Sequence, residues 1–88
     1  MKYSKVKDIK VTIIHSTGGE FCAVFEAAYS AFIALHTYLQ KDSRCCYYTD
    51  NYDELMESLM SLRYGASNKL ECSMFRAEAI DREDAKYV

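Results

Sequence analysis

Residues 16–42 read STGGEFCAVFEAAYSAFIALHTYLQKD, and two structures compete for them. One is a single helix over 18–41. Thr17 and Glu20 are spaced for a capping box, and Phe21, Phe25, Ala28, Phe32, Leu35 and Leu39 would line one face. The other is a β-hairpin followed by a helix over 28–41. A Thr17-Gly18-Gly19 loop would pair Ser16 with Glu20, Val11 with Phe25, Ile13 with Ala23 and Lys10 with Glu26. Two glycines are costly in a first helical turn and natural in a hairpin loop, which favours the hairpin. The long helix stays as the alternative.

The flanking chain is plainer. In VKDIKVTIIHS, residues 6–16, Ile9, Val11, Ile13 and His15 alternate onto one face, as in a strand. Cys45 to Thr49 is a short apolar-aromatic strand candidate. Asp50 is a suitable N-cap for a helix over NYDELMESLMSLRY, with Tyr52, Leu55, Leu59 and Leu62 as its apolar stripe and Gly65 as its stop. In NKLECSMFRAEAI, Leu70, Cys72 and Met74 alternate against Glu71, Ser73 and Phe75, which predicts one strand. The element order is ββαβαβ, or βαβαβ if 18–41 is one helix. Either order gives a small α+β two-layer sandwich, an antiparallel or mixed sheet of 3–4 strands covered by two helices. Residues 1–80 form one domain, with a polar tail at 81–88 expected to fray.

Composition narrows the function classes. A net charge of −2 argues against the chain as a whole binding nucleic acid electrostatically. Lys2, Lys5, Lys7 and Lys10 cluster at the N-terminus, so a small nucleic-acid-binding regulator is retained as an alternative. No signal-peptide pattern opens the chain, and Glu26, Ser30, His36 and Thr37 interrupt its most apolar window. The expectations are a cytoplasmic location (a bacterial host cell, if phage-encoded), no membrane partner and free thiols at Cys22, Cys45, Cys46 and Cys72.

No catalytic or cofactor constellation emerges. Adjacent Cys45 and Cys46 point to opposite faces of a strand and make poor joint metal ligands. His15, His36, Cys22 and Cys72 are scattered singly, so a cysteine/histidine metal-binding protein is the third alternative. His15 and Cys22 would project to opposite faces of the hairpin, which separates the one candidate nucleophile–base pair. STGGE lacks the spacing of a phosphate loop, and Glu20 would repel a phosphate. The expectation is a non-enzymatic protein without metal or cofactor.

What remains is an acidic, tyrosine-flanked segment. Asp50, Asp53, Glu54 and Glu57 have no basic residue among them, and Tyr47, Tyr48 and Tyr52 stand beside them. Met60 and Tyr64 lie off the apolar stripe and extend the same surface. Carboxylates with aromatic anchors suit a partner carrying a basic groove. Size and charge place the chain by analogy with phage- or mobile-element-type inhibitors, the anti-CRISPR kind, that block a basic surface of a host nucleic-acid-binding enzyme. Homodimerisation through a tyrosine-rich face is the other association considered.

Overall fold

A computed structural model describes residues 6–42, 44 and 46–81. The hairpin forms. Strands β1 (Asp8–Ile14) and β2 (Glu20–Phe25) are followed by α1 (Ala28–Lys41), a 3-10 turn (Tyr47–Asp50), α2 (Tyr52–Arg63), β3 (Lys69–Glu71) and β4 (Phe75–Ile80). The four strands make one antiparallel sheet in the order β2-β1-β4-β3, and two helices accompany it. This is the expected α+β two-layer arrangement.

The hairpin register differs from the expected one by two residues. Ile9 pairs with Phe25, Val11 with Ala23, Ile13 with Phe21 and Ile14 with Glu20. The reason is the loop. Gly18 donates to the His15 carbonyl at 2.9 Å and His15 donates to the Gly19 carbonyl at 2.8 Å, so the three loop residues are Ser16, Thr17 and Gly18. A three-residue loop of this kind needs a left-handed residue in third place, and Gly18 supplies it at φ 99°. A shift of two preserves the faces, so the apolar set still points inward.

Each helix buries one stripe. Ala28, Ala31, Leu35 and Leu39 of α1 recur at i, i+3, i+7 and i+11, and all are buried. Leu55, Leu59 and Leu62 of α2 are fully buried, each contributing roughly 1.5–3 kcal/mol of transfer free energy. They meet Ile9, Val11, Leu70, Phe75 and Ala77 on one face of the sheet. The opposite face carries Lys10, Thr12, Arg76 and Glu78, the polar side of a one-sided antiparallel sheet.

Three local expectations are corrected. The strand candidate at Cys45–Thr49 does not form: Tyr47–Asp50 is a 3-10 turn, and Cys45 lies outside the described residues. Cys46 opens that turn, donating its N–H to Thr49 Oγ1 at 3.0 Å and accepting from the Thr49 N–H at 3.0 Å. Those local bonds outcompete extension. The N-cap of α2 is Asn51 rather than Asp50, which the turn consumes; Asn51 Nδ2 instead donates back to the Tyr47 carbonyl at 2.7 Å. The strand expected over 68–80 is two strands joined by a tight turn, closed by Cys72 N–H to the Phe75 carbonyl at 3.0 Å. Phe75 is therefore an inward residue, with Ala77 behind it.

The expected stop at Gly65 holds. Gly65, at φ 82°, donates to the Leu62 carbonyl, and Ala66 donates to the Ser61 carbonyl at 2.8 Å. That is a Schellman ending, with glycine where a left-handed residue is required. Two ties then fix α2 to the sheet. Lys7 N–H donates to the Arg63 carbonyl at 2.8 Å, and Arg63 Nη1 donates to the Lys7 carbonyl at 3.1 Å.

Candidate functional site

Helical spacing sets the geometry of the acidic face. Asp53, Glu57 and Met60 stand at i, i+4 and i+7, one stripe of α2, Tyr64 follows at the helix's C-cap, and all four are exposed. Met56 lies half-buried between this stripe and the core. Asp53, Met56, Glu57, Met60 and Ser61 together line an open depression on the helix surface. Its lining thus combines two carboxylates with two thioethers.

Glu54 and Asp50 lie outside that depression. Glu54 accepts a hydrogen bond from the Tyr47 hydroxyl, and this bond is the main reason the Tyr47 phenol is pushed up from its ordinary pKa. Tyr47 is 58% exposed and turns its ring against Tyr48 with centroids 5.1 Å apart. Asp50 is exposed at the end of the 3-10 turn. Among the described residues, no lysine or arginine pairs with Asp50, Asp53, Glu54 or Glu57.

Two of the three tyrosines face inward. Tyr48 is half-buried against Phe75, ring centroids 5.9 Å apart. Tyr52 is half-buried between the helices, its ring 4.4 Å from His36 and 6.3 Å from Phe32. Burial, ahead of the nearby Cys46 and Asp50, pushes the Tyr52 phenol up. Tyr47 thus presents its ring to solvent, whereas Tyr48 and Tyr52 hold the turn and the helix in place behind it.

Sequence reasoning missed the residue that anchors this region from the other side. Arg44 Nη2 donates to the Ile14 carbonyl at 2.9 Å, to Tyr38 Oη at 2.7 Å and to Asp42 Oδ2 at 2.9 Å, while Nε donates to Asp42 Oδ1 at 3.1 Å. Tyr38 Oη also donates to the Ile14 carbonyl at 3.1 Å. The Arg44 side chain and backbone hydrogen bonds hold the Asp42 carboxyl well below the usual carboxylate range. This cluster ties the end of α1 to the end of β1 and so sets where the chain enters the 3-10 turn. An acid two residues before an arginine was its only signal in sequence.

Among the described residues, the side chains of Cys46 and Cys72 are in contact, and no larger cysteine–histidine group forms. Cys46 and Cys72 pack against the core, and burial, ahead of its other contacts, pushes the Cys72 thiol up, which keeps it protonated near neutrality. Cys22 is exposed on β2, with its sulfur 3.4 Å from Thr12 Oγ1. His15 lies edge-on to Tyr38, centroids 6.2 Å apart. Among the described residues no three His, Cys, Asp or Glu side chains group in a way that could hold a metal ion.

The lysine cluster is partly committed. Lys7 Nζ donates to Asp81 at 2.8 Å, and Lys10 stands opposite Glu78 in the sheet. Lys2 and Lys5 lie outside the described residues. Among the described residues, no helix is long and apolar enough to cross a membrane. No family model, curated protein or solved structure matches this chain.

Proposed function

We propose that the chain is a protein-interaction module that docks on a basic surface of a partner through the outer stripe of α2. The supporting observation is the depression itself. Asp53 and Glu57 line it together with Met56 and Met60, and among the described residues no lysine or arginine pairs with either carboxylate. An arginine or lysine from a partner fits this chemistry. Its aliphatic stem lies on the adaptable thioethers, and its charged head meets two carboxylates in charge-assisted hydrogen bonds. Tyr64 at one end of the stripe, and Tyr47 and Asp50 at the turn, extend the contact.

On this reading the protein binds rather than catalyses. Its effect is to occupy cationic residues that would otherwise hold nucleic-acid phosphates, as an anti-CRISPR-type inhibitor of a nucleic-acid-binding enzyme does. Steering by the acidic face would make association fast and salt-sensitive.

The test is affinity capture with the full chain, mass-spectrometric identification, and titration of the purified partner. The double variant Asp53→Lys, Glu57→Lys keeps the circular dichroism spectrum because both residues are exposed. It should weaken binding by about tenfold or more, since each charge-assisted contact contributes on the order of 1.5–3 kcal/mol. Unchanged affinity would remove this site from the interface.

A further inference from the structure

Among the described residues, the edge of the sheet at β2 carries no bulge, proline or basic side chain, the features that commonly keep an edge strand from pairing. β2 ends the order β2-β1-β4-β3 and, among the described residues, pairs with β1 alone. Protected edges are short, bulged, or carry lysine or proline. β2 is six residues, EFCAVF, with no proline and no basic residue, and its one charge is Glu20 at the start. Phe21 is 58% exposed on it.

The hydrogen-bond phase shows which groups are open. His15 bonds Gly19, so Ile13–Phe21, Val11–Ala23 and Ile9–Phe25 are the hydrogen-bonded pairs of this ladder. The backbone N–H and C=O groups of Phe21, Ala23 and Phe25 therefore face β1, and those of Glu20, Cys22 and Val24 face outward.

We propose that β2 is a self-association surface, on which a second copy of this chain adds its own β2 antiparallel across a two-fold axis at Cys22. Side-chain complementarity and charge select this occupant and this register. A two-fold at Cys22 opposes Phe21 with the partner's Ala23, and Ala23 with the partner's Phe21. The exposed ring then covers the small, half-exposed alanine, and the apolar row runs Ile13, Phe21, partner Ala23, partner Val11. On the other face Glu20 meets the partner's Val24, and Cys22 meets its own copy. The open backbone groups of Glu20, Cys22 and Val24 form about six hydrogen bonds across the seam.

Neighbouring registers are poorer. A two-fold at Ala23 sets Glu20 directly opposite the partner's Glu26, a destabilising like-charge pair, and places Phe21 on Phe25, which already packs against its own core. A two-fold at Val24 keeps only Ala23 to Phe25 of β2 within the seam. The surface is independent of the acidic stripe of α2, so either assignment can fail alone.

Sedimentation equilibrium of the reduced full chain, from low micromolar to submillimolar concentration, should show a species of twice the chain mass. Val24→Pro removes an outward N–H and is tolerated in a monomer, because that N–H does not bond to β1. It should weaken the dimer by about tenfold or more, as two seam hydrogen bonds are lost per dimer. Phe21→Lys changes an exposed side chain and should do the same, which keeps the test intact if the proline variant fails to fold. The two-fold also places the Cys22 α-carbons about 5.5 Å apart, within disulfide range. Diamide should therefore join two copies through Cys22, itself reduced to the hydrazide by the two electrons and two protons of the thiols. The covalent dimer should vanish in Cys22→Ser and persist in the triple variant Cys45→Ser, Cys46→Ser, Cys72→Ser. A monomer throughout, a dimer unaffected by both β2 variants, or cross-linking indifferent to Cys22→Ser would each overturn the proposal. A monomer that binds a strand of another protein at this edge would overturn it too.

Discussion

Phe75→Ala separates two arrangements of the C-terminal chain. Phe75 is 0% exposed, its ring lies 5.9 Å from Tyr48, and its backbone pairs with Ile13 in the centre of the sheet. Truncating such a ring costs about 3–5 kcal/mol, the transfer term plus the cavity left behind. An 88-residue chain has a total stability of roughly 4–13 kcal/mol, so this single change removes a large share of it. At about 5 °C per kcal/mol, the melting temperature should fall by roughly 15–25 °C. The assay is thermal and urea unfolding followed by far-ultraviolet circular dichroism, with the urea midpoint falling at unchanged slope. Tyr48→Phe is the companion control: it keeps the ring against Phe75 and should shift the midpoint little. Were residues 68–80 a single strand, Phe75 would share the outer face with Glu71 and Ser73, where a substitution costs within about 0.5 kcal/mol. A fall in melting temperature below about 3 °C would refute the inward placement, and with it the hairpin of β3 and β4.

The loop and the Arg44 cluster make two further tests. Gly18→Ala should destabilise by about 1–2 kcal/mol in chemical denaturation, because Gly18 sits at φ 99°, whereas Gly19→Ala, with ordinary φ and open space around it, should be nearly neutral. The reverse order would restore a Thr17-Gly18-Gly19 loop. Asp42 has a lowered folded pKa, so its contribution is present above its unfolded value and is lost as pH falls through the folded one. Asp42→Asn should therefore be less stable than the parent at neutral pH, with the gap closing only in strong acid; a gap independent of pH would dissociate Asp42 from Arg44.

Much of the fold was legible because it rests on local chemistry. The spacing of Ala28, Leu35 and Leu39, the alternation of Ile9, Val11 and Ile13, and the glycines at 18 and 65 each specify an element within a few residues of themselves. The split of 68–80 also left a trace. Apolar residues occupy even positions at Leu70, Cys72 and Met74, then odd ones at Phe75, Ala77 and Ala79, and that change of phase marks the turn. For the candidate site, sequence located the acidic stripe but not its shape. Asp53, Glu57 and Met60 share a face by spacing alone, while the inward turn of Tyr48 and Tyr52 depends on Phe75 and His36, far away in the chain.

The division follows from the range of the forces. By itself the sequence determined β1, the helix over 28–41, the helix after the 3-10 turn, the α+β class and the clustering of carboxylates on one helix, since these follow from periodicity, glycine conformation and residue charge. Only the tertiary structure decided which of two loop frames the hairpin takes, that Cys46 to Asp50 coils rather than extends, and that Arg44 bridges α1 to Ile14. Those outcomes depend on partners distant in sequence, where competing local conformations differ by about a kilocalorie and packing chooses between them.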